Sequence, residues 1–404
     1  MYLDYSATAP LASEVLGVMM PYLTQNFGNA SALYSYGQKA KKALDSARLE
    51  ISKIIDANLD EIIFTSGATE SNNLAIMGVV ENFENKIKEI NSREAIIIPV
   101  VITTNVEHAS VLSVLKKLEK QKRIEVKYLK VDNSGIVSVE DFKKVLSDLE
   151  KENKKQNIAL VSCMAVNNEI GTIQPVSRIG RICKKQNIIF HIDAVQAFGK
   201  IKTSVENWKC DLLSLSAHKC YGPKGVGILY VKEGTEINAQ IIGGGQERSY
   251  RAGTENIANI VGMAKAFQIS ENLREKEQEK YEKLQIFTKE YIEKSCNFAI
   301  WNGAEIGEKR VKNNINFSFS NSEKNIKISG ESLLMRLDIQ NVAISLGSAC
   351  SAGMVAPSHV LLAIGKTKEE ARTGVRITFG MSTDMQELEI ALSKIIKAVH
   401  TLKK

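Results

Sequence analysis

Ile188-Ile189-Phe190-His191-Ile192-Asp193-Ala194-Val195-Gln196 is a short apolar run that ends in an acid and an amide. Further along, Asp211-Leu212-Leu213-Ser214-Leu215-Ser216-Ala217-His218-Lys219 repeats the plan and ends in a lysine. Continuous apolar runs of this length, bounded by polar residues, fit strands buried on both faces. Five more occur at 61–65, 95–103, 124–129, 158–163 and 226–231, and helical patterns at 70–83, 108–122, 139–151 and 176–187 lie between most of them. Strands that alternate with helices predict an α/β fold with a mainly parallel, seven-stranded sheet covered on both faces. In such a sheet ligands bind at the carboxyl ends of the strands. Ser66-Gly67-Ala68-Thr69-Glu70, Glu107-His108, Asn167-Asn168, Asp193, Gln196 and Ser216 to Lys219 all follow strand ends and converge on that rim.

From about Met263 the pattern changes. A charged helix over 264–295 carries Leu273, Tyr281, Leu284 and Ile292 on one stripe. Apolar runs at 315–318, 342–346 and 375–379 then alternate with helical stretches at 330–338 and 358–364, before an amphipathic helix over 384–402. The expected organisation is a large domain over 14–262 and a smaller α+β domain made of 1–13 and 263–404. The lysine- and glutamate-rich stretch 82–94 reads as a solvated extension.

At 404 residues and 44% hydrophobic content the chain can bury a large core. It has no eighteen-residue apolar stretch, and Met1-Tyr2-Leu3-Asp4 opens no signal peptide, which points to a soluble, cytoplasmic protein with no membrane partner. The net charge of +7 comes from lysines scattered along charged helices, without the basic-aromatic interleaving of a nucleic-acid surface. Cysteines at 163, 183, 210, 220, 296 and 350 show no CxxC pairing, so they read as reduced thiols, with at most one of them chemical.

A lysine at the mouth of a sheet, with an acid one strand away, suits a pyridoxal-phosphate site. Lys219 would hold the cofactor as a Schiff base, and Asp193 would keep the pyridine nitrogen protonated. Ser66 to Thr69, between strand and helix, is either a plain cap or a phosphate cradle. His108 opens a helix and is either a cap or a ring that stacks on a cofactor and moves protons. Asn168 and Gln196 are neutral donors suited to a ring oxygen or to buried backbone, and Ser216 and His218 flank the lysine. Gly243-Gly244-Gly245-Gln246-Glu247-Arg248 lacks the strand-to-helix context of a dinucleotide fingerprint and fits a connection that brings Arg251 and Thr254 to an anion. Cys350, among the small residues of Gly347-Ser348-Ala349-Cys350-Ser351-Ala352-Gly353, is the candidate nucleophile or an inconsequential surface thiol. Its rival Cys220 adjoins Lys219, but adjacent side chains in an extended segment face opposite ways.

Six separated segments, in order, resemble the cysteine desulfurases of the NifS/IscS type. They are Tyr2 to Thr8, Phe64 to Ser71, Val166 to Gly171, His191 to Gln196, Ser216 to Lys219, and Gly347 to Cys350. The resemblance runs across nearly the whole chain and implies fold type I of the pyridoxal-phosphate enzymes, in the class-V aminotransferase family. It implies a homodimer that takes L-cysteine, moves its sulfur onto Cys350 as a persulfide, and releases L-alanine. Lys219 would bind the cofactor, Asp193 its pyridine nitrogen, and His108 its ring, while Asn168 and Gln196 would sit at the ring oxygens. Ala68, Thr69, Ser216 and His218 would hold the phosphate, Thr254 would reach the phosphate of the neighbouring subunit, and Arg376 with Asn168 would hold the substrate. The implied acceptor is an iron–sulfur scaffold or a sulfur carrier for tRNA thiolation. No resident metal is implied, although Cys350 could ligate a transferred iron–sulfur cluster. Two departures stand out: Tyr34 occupies a position where related sequences usually carry histidine, and the chain stops at Lys403-Lys404 without a long docking tail. The alternatives are a selenocysteine lyase, another fold type I enzyme, or an inactive scaffold or sulfur-transfer adaptor.

Overall fold

The computed structural model describes residues 1–90, 97–321, 326–347 and 356–403. After helices α1 (Ser13–Thr24) and α2 (Ser35–Ile54), strand β1 (Ile62–Thr65) leads into α3 (Ala68–Ile90). Gly67, at φ +150°, makes that turn with a backbone that side-chain-bearing residues avoid. Then come β2 (Val100–Thr104), α4 (Ala109–Lys120), β3 (Glu125–Leu129), α5 (Val139–Lys151), β4 (Ile158–Ser162), α6 (Val176–Gln186) and β5 (Phe190–Asp193). A short α7 (Val205–Trp208), β6 (Leu212–Ser216) and β7 (Gly227–Val231) complete the first sheet. Its strand order is β1-β7-β6-β5-β4-β2-β3, the mainly parallel seven-stranded sheet that the apolar runs predict.

One strand runs against the rest. β7 pairs antiparallel with both β6 and β1. The two inversions cancel, so β1 ends on the same rim as β6, β5, β4 and β2. That is why Ser66 to Thr69 reach the place where the other strand ends meet. Two apolar layers cover the sheet: one includes Phe142, Ile179, Phe190 and Ile228, the other Ile63, Val101, Leu160 and Leu229.

Helix α8 (Ile257–Ser295) leaves this sheet, starting earlier than periodicity predicts because Asn256 Oδ1 caps it by accepting from Asn259 N at 3.3 Å. Ile257, Ile260, Met263 and Phe267 pack into the first core, whereas Tyr281, Leu284 and Ile292 belong to a second. That second core covers a four-stranded sheet of order β10-β11-β9-β8. Its strands are β8 (Ile300–Trp301), β9 (Asn314–Ser318), β10 (Ser345–Leu346) and β11 (Gly374–Thr378), with α9 (Gly330–Ile339), α10 (His359–Ala363) and α11 (Lys368–Arg372) between them. The last helix, α12 (Met385–Leu402), buries Leu388, Ala391, Leu392, Ile395 and Val399 at helical spacing against the same core. Asp384 caps it, accepting from Gln386 N and Glu387 N at 2.9 Å each.

The N-terminal segment crosses to this second sheet. Tyr2 bridges to Ala343, Asp4 bridges to Thr378, and Leu3 is buried in the second core. Among the described residues, no helix is long and apolar enough to cross a membrane. Of the stretch 82–94, residues 82–90 extend α3 with Asn85, Lys86, Lys88 and Glu89 exposed, and 91–94 lie outside the described residues.

Candidate active site

A cavity of about 710 Å³ opens where the carboxyl rim of the first sheet faces β10 and β11 of the second. Lys219, Asp193, His108, Asn168, Gln196, Ala68, Thr69, Ser216, His218 and Arg376 all line it. Thr254 does not; it lines a smaller cavity of about 260 Å³ that shares Ser66 and Gly225 with the first. Cys350 lies outside the described residues, but Gly347, on its N-terminal side, lines the cavity wall.

Asp193, at the end of β5, is a buried carboxylate held from two sides. Its Oδ1 accepts from Val195 N at 3.1 Å and its Oδ2 from Asn72 Nδ2 at 2.8 Å. Asn72 sits on α3 and is fully buried; its second amide hydrogen goes to Ser110 Oγ at 2.8 Å. With that oxygen accepting, the Ser110 hydroxyl is free to donate to His108 Nδ1 at 2.8 Å, and Ser110 N donates to the same nitrogen at 3.1 Å. Two donors at Nδ1 leave the ring proton on Nε2. His108 is the N-cap of α4, and it also lines the cavity.

Lys219 is not on an extended strand end. Ala217–Lys219 form a 3₁₀ turn, and Cys220 follows with its thiol turned inward to Phe198 O at 3.6 Å. Cys220 is thus excluded from the cavity, by this turn and not by strand alternation; burial pushes its thiol up to about 11. Lys219 Nζ donates to Ser6 O at 2.7 Å and Ala7 O at 2.6 Å. Burial pushes its amine down to about 8, Arg376 adds to the effect, and Asp4 and Asp193 oppose it. At that value about one lysine in ten is uncharged at pH 7, against fewer than about one in a thousand for a free side chain.

Gln196 is oriented by its neighbours. Nε2 donates to Ser6 O at 2.9 Å, and Oε1 accepts from the buried Lys200 Nζ at 2.6 Å. His218 Nδ1 lies 3.2 Å from Thr8 Oγ1, and burial, reinforced by Lys219 and Lys224, pushes it down to about 4, so it is neutral at pH 7. On the opposite wall, Arg376 of β11 donates from Nη1 to Asn168 O at 2.9 Å and from Nη2 to Asp4 Oδ1 at 2.7 Å. Its Nε is buried without a hydrogen-bond partner among the described residues. Asn167, by contrast, is a turn residue: its Oδ1 accepts from Glu169 N and Ile170 N, which leaves Asn168 to face the cavity.

Sequence reading misses part of this wall. Ser6, Ala7, Thr8, Ser110, Met164, Val195 and Lys224 also line the cavity. Ser6 to Thr8 and Val195 do carry a signal, since they fall in segments that mark the family resemblance. Tyr34 precedes the first turn of α2 without a side-chain capping bond and is 65% exposed.

The donor set fits pyridoxal phosphate. The first N–H groups of α3, at Ala68 and Thr69, open on the cavity beside Ser216 and His218, and a helix N-terminus of this length favours an anion. A lysine with a lowered pKa, in the turn after β6, and an ionisable carboxylate, at the end of the adjacent β5, face one cavity. The volume is that of a cofactor-plus-substrate pocket.

Comparisons with known proteins agree with this geometry. The model of the aminotransferase class-V family matches residues 1–390. "Cysteine desulfurase IscS" of Dictyoglomus turgidum is 43% identical over 402 residues, covering 100% of this chain and 95% of that one. Among solved structures, a "NifS-like protein" superposes with a TM-score of 0.85 at 34% identity, covering 100% of both chains. "SspA in complex with cysteine" does so at 0.74 and 34%, covering 94% of this chain and 98% of that one. The chain belongs to the aminotransferase class-V family of pyridoxal-phosphate enzymes, among the cysteine desulfurases of the NifS/IscS type.

Proposed function

We propose that this cavity desulfurates L-cysteine with pyridoxal phosphate, moving the sulfur to Cys350 and releasing L-alanine for iron–sulfur cluster assembly. The observation that carries the reading is the opposition of Lys219 and Asp193, on one sheet, to Arg376, on the other, across a single cavity. The bound cofactor supplies an electron sink that acidifies the substrate α-carbon. Asp193, fixed by Asn72 and Val195 N, keeps the pyridine nitrogen protonated. Ala68, Thr69, Ser216 and His218 hold the phosphate, and Gln196 and Asn168 serve the ring oxygens.

Arg376 and Asn168 hold the substrate carboxylate side, a task suited to the fork of a guanidinium. Lys219, in its uncharged form, takes the α-proton at Nζ, and Ser6 O and Ala7 O stabilise the ammonium that results. His108 presents Nε2–H to the cavity and can deliver a proton there. The Cys350 thiolate attacks the substrate sulfur: an S–S bond forms, the C–S bond breaks, and its electron pair stays on the three-carbon fragment, which takes up a proton and leaves as alanine.

The remaining parts of the reading are a large domain over 14–262 with a smaller one from 1–13 and 263–404, cytoplasmic location, and a homodimer in which Thr254 reaches the partner's phosphate. The persulfide acceptor is a scaffold or sulfur-carrier protein. The test is to add cysteine to the holoenzyme and assay alanine and protein-bound sulfur beside Cys350→Ala and Lys219→Ala. Cys350→Ala should retain the cofactor and release no sulfur, and Lys219→Ala should lose stable cofactor attachment. Alanine formation that survives Cys350→Ala would sink the assignment.

A further inference from the structure

The guanidinium expected to receive the substrate carboxylate is already paired. Arg376 Nη2 lies 2.7 Å from Asp4 Oδ1, with the two side chains 8% and 17% exposed. Asp4 is held there by backbone: Leu3 O accepts from Thr378 N at 2.8 Å, Asp4 bridges to Thr378, and Ser6 N donates to Thr378 Oγ1 at 2.9 Å. Thr378 and Arg376 lie on the same strand, so the carboxylate and the guanidinium are fixed by one piece of sheet. Of the five N–H groups of Arg376, Asp4 takes one and Asn168 O another; Nε–H and one hydrogen on each terminal nitrogen remain. The buried Nε has no partner among the described residues and is closed to solvent, so the free terminal hydrogens of Arg376, at the cavity wall, are the donors for an arriving acceptor.

We propose that Asp4 is a specificity-determining residue: it is a resident carboxylate that shares Arg376 with the substrate and weakens the hold of the site on any carboxylate that lacks other anchors. The proposal rests on the reading of Arg376 as the substrate-carboxylate site. A guanidinium buried alone beside an amine would bind simple carboxylates indiscriminately and release product slowly. Asp4 neutralises Arg376 in the resting site, and the arriving carboxylate meets a like charge on the same guanidinium. Cysteine overcomes this repulsion because its amino group is also bound, whereas a deaminated analogue has no such compensation. Asp4 reaches the lysine as well: its charge opposes the effect of Arg376 on Lys219. Removing it therefore alters both ends of the substrate at once.

The probe is 3-mercaptopropionate, which keeps the carboxylate and thiol of cysteine and lacks the amine. Its dissociation constant is measured by calorimetry on the holoenzyme of wild type, Asp4→Asn, Asp4→Ser and Arg376→Gln. Two carboxylates on one guanidinium repel even at an effective dielectric of about 20, so removing the resident charge should tighten probe binding by about tenfold or more. Asp4→Asn, which keeps an acceptor for Arg376, should show this gain, and Asp4→Ser should show it in the same direction. Arg376→Gln should lose most of the affinity. Unchanged or weaker binding in both Asp4 variants, with the Arg376 dependence intact, overturns the proposal alone. If Arg376→Gln binds the probe as well as wild type does, the carboxylate reading of the site is overturned and the proposal falls with it.

Discussion

Glu107→Gln should make the protein less sensitive to alkali. Glu107 precedes the histidine cap of α4 and is fully buried; its Oε1 accepts from Thr104 Oγ1 at 2.7 Å and from Met164 N at 2.9 Å. Its Oε2 is buried without a partner among the described residues. Burial pushes the carboxyl up to about 8, and the charge of Asp193 adds to the rise. A carboxyl whose folded-state pKa is raised contributes stability that is fully present below its unfolded pKa and lost as pH rises through the folded value. For a rise from the ordinary 4.5 to about 8, that contribution falls by about 2–3 kcal/mol between pH 6 and pH 9. Glutamine matches the protonated carboxyl in shape, keeps an Oε1 acceptor for Thr104 and Met164, and has no proton to lose. Lys200, Lys219 and Glu169 also titrate across this range, pushed to about 8, about 8 and about 7, but they are common to both proteins and cancel in the difference. The assay is urea unfolding of both cofactor-free proteins at pH 6, 7, 8 and 9. The gap between the two curves should shift in favour of Glu107→Gln by about 2–3 kcal/mol over the series. Parallel curves would refute the reasoning, since they would mean that Glu107 is ionised, or solvated, throughout.

Asn72→Leu should separate cofactor affinity from stability: Asp193 loses a hydrogen bond to a charged group, worth about 1.5–3 kcal/mol, while the fold is relieved of the buried, unpartnered Asn72 Oδ1 at a similar gain. The melting temperature of the cofactor-free protein should move little while the dissociation constant for pyridoxal phosphate rises about tenfold or more; a large drop in melting temperature with unchanged cofactor affinity would contradict this. Arg48→Met should destabilise by about 3–5 kcal/mol in denaturant unfolding, because it strands the Glu247 carboxylate, 3% exposed, that Arg48 holds from Nη1 and Nη2 at 2.8 and 2.7 Å. Glu247, Arg248 and Ser249 run consecutively at φ 44°, 54° and 64°, so this turn depends on its anchor, and a loss under about 1 kcal/mol would show that the pair is not what fixes it.

The rim of the site was legible because each of its residues follows an apolar run, and burial on both faces is written into Ile158–Ser162, Phe190–Asp193 and Leu212–Ser216 as continuous apolar character. The same fact hid the direction of Gly227–Val231: a strand buried at all five positions has no alternation to distinguish an antiparallel neighbour from a parallel one. Lys219 was found from its place in the chain, but the 3₁₀ turn that aims it leaves no periodic trace. The pairing of Arg376 with Asp4, the link from Asn72 through Ser110 to His108, and the clasp of Lys200 on Gln196 were not readable. Periodicity reports how much of a side chain is buried, and these contacts depend on which polar group meets it.

The N-terminal strand gives the site an order of assembly. Asp4 and its partner Arg376 are separated by 372 positions, Ser6 and its partner Thr378 by 372, and Ser6 and Lys219 by 213. During synthesis residues 2–8 leave the ribosome long before Gly374–Thr378, so a nascent chain can complete the seven-stranded sheet before the strand that pairs with Asp4 and Ser6 exists. Catalytic competence then depends on both ends of this sequence at once, so a stop ahead of Gly374–Thr378 would remove the Thr378 hydroxyl that helps hold Ser6 beside Lys219.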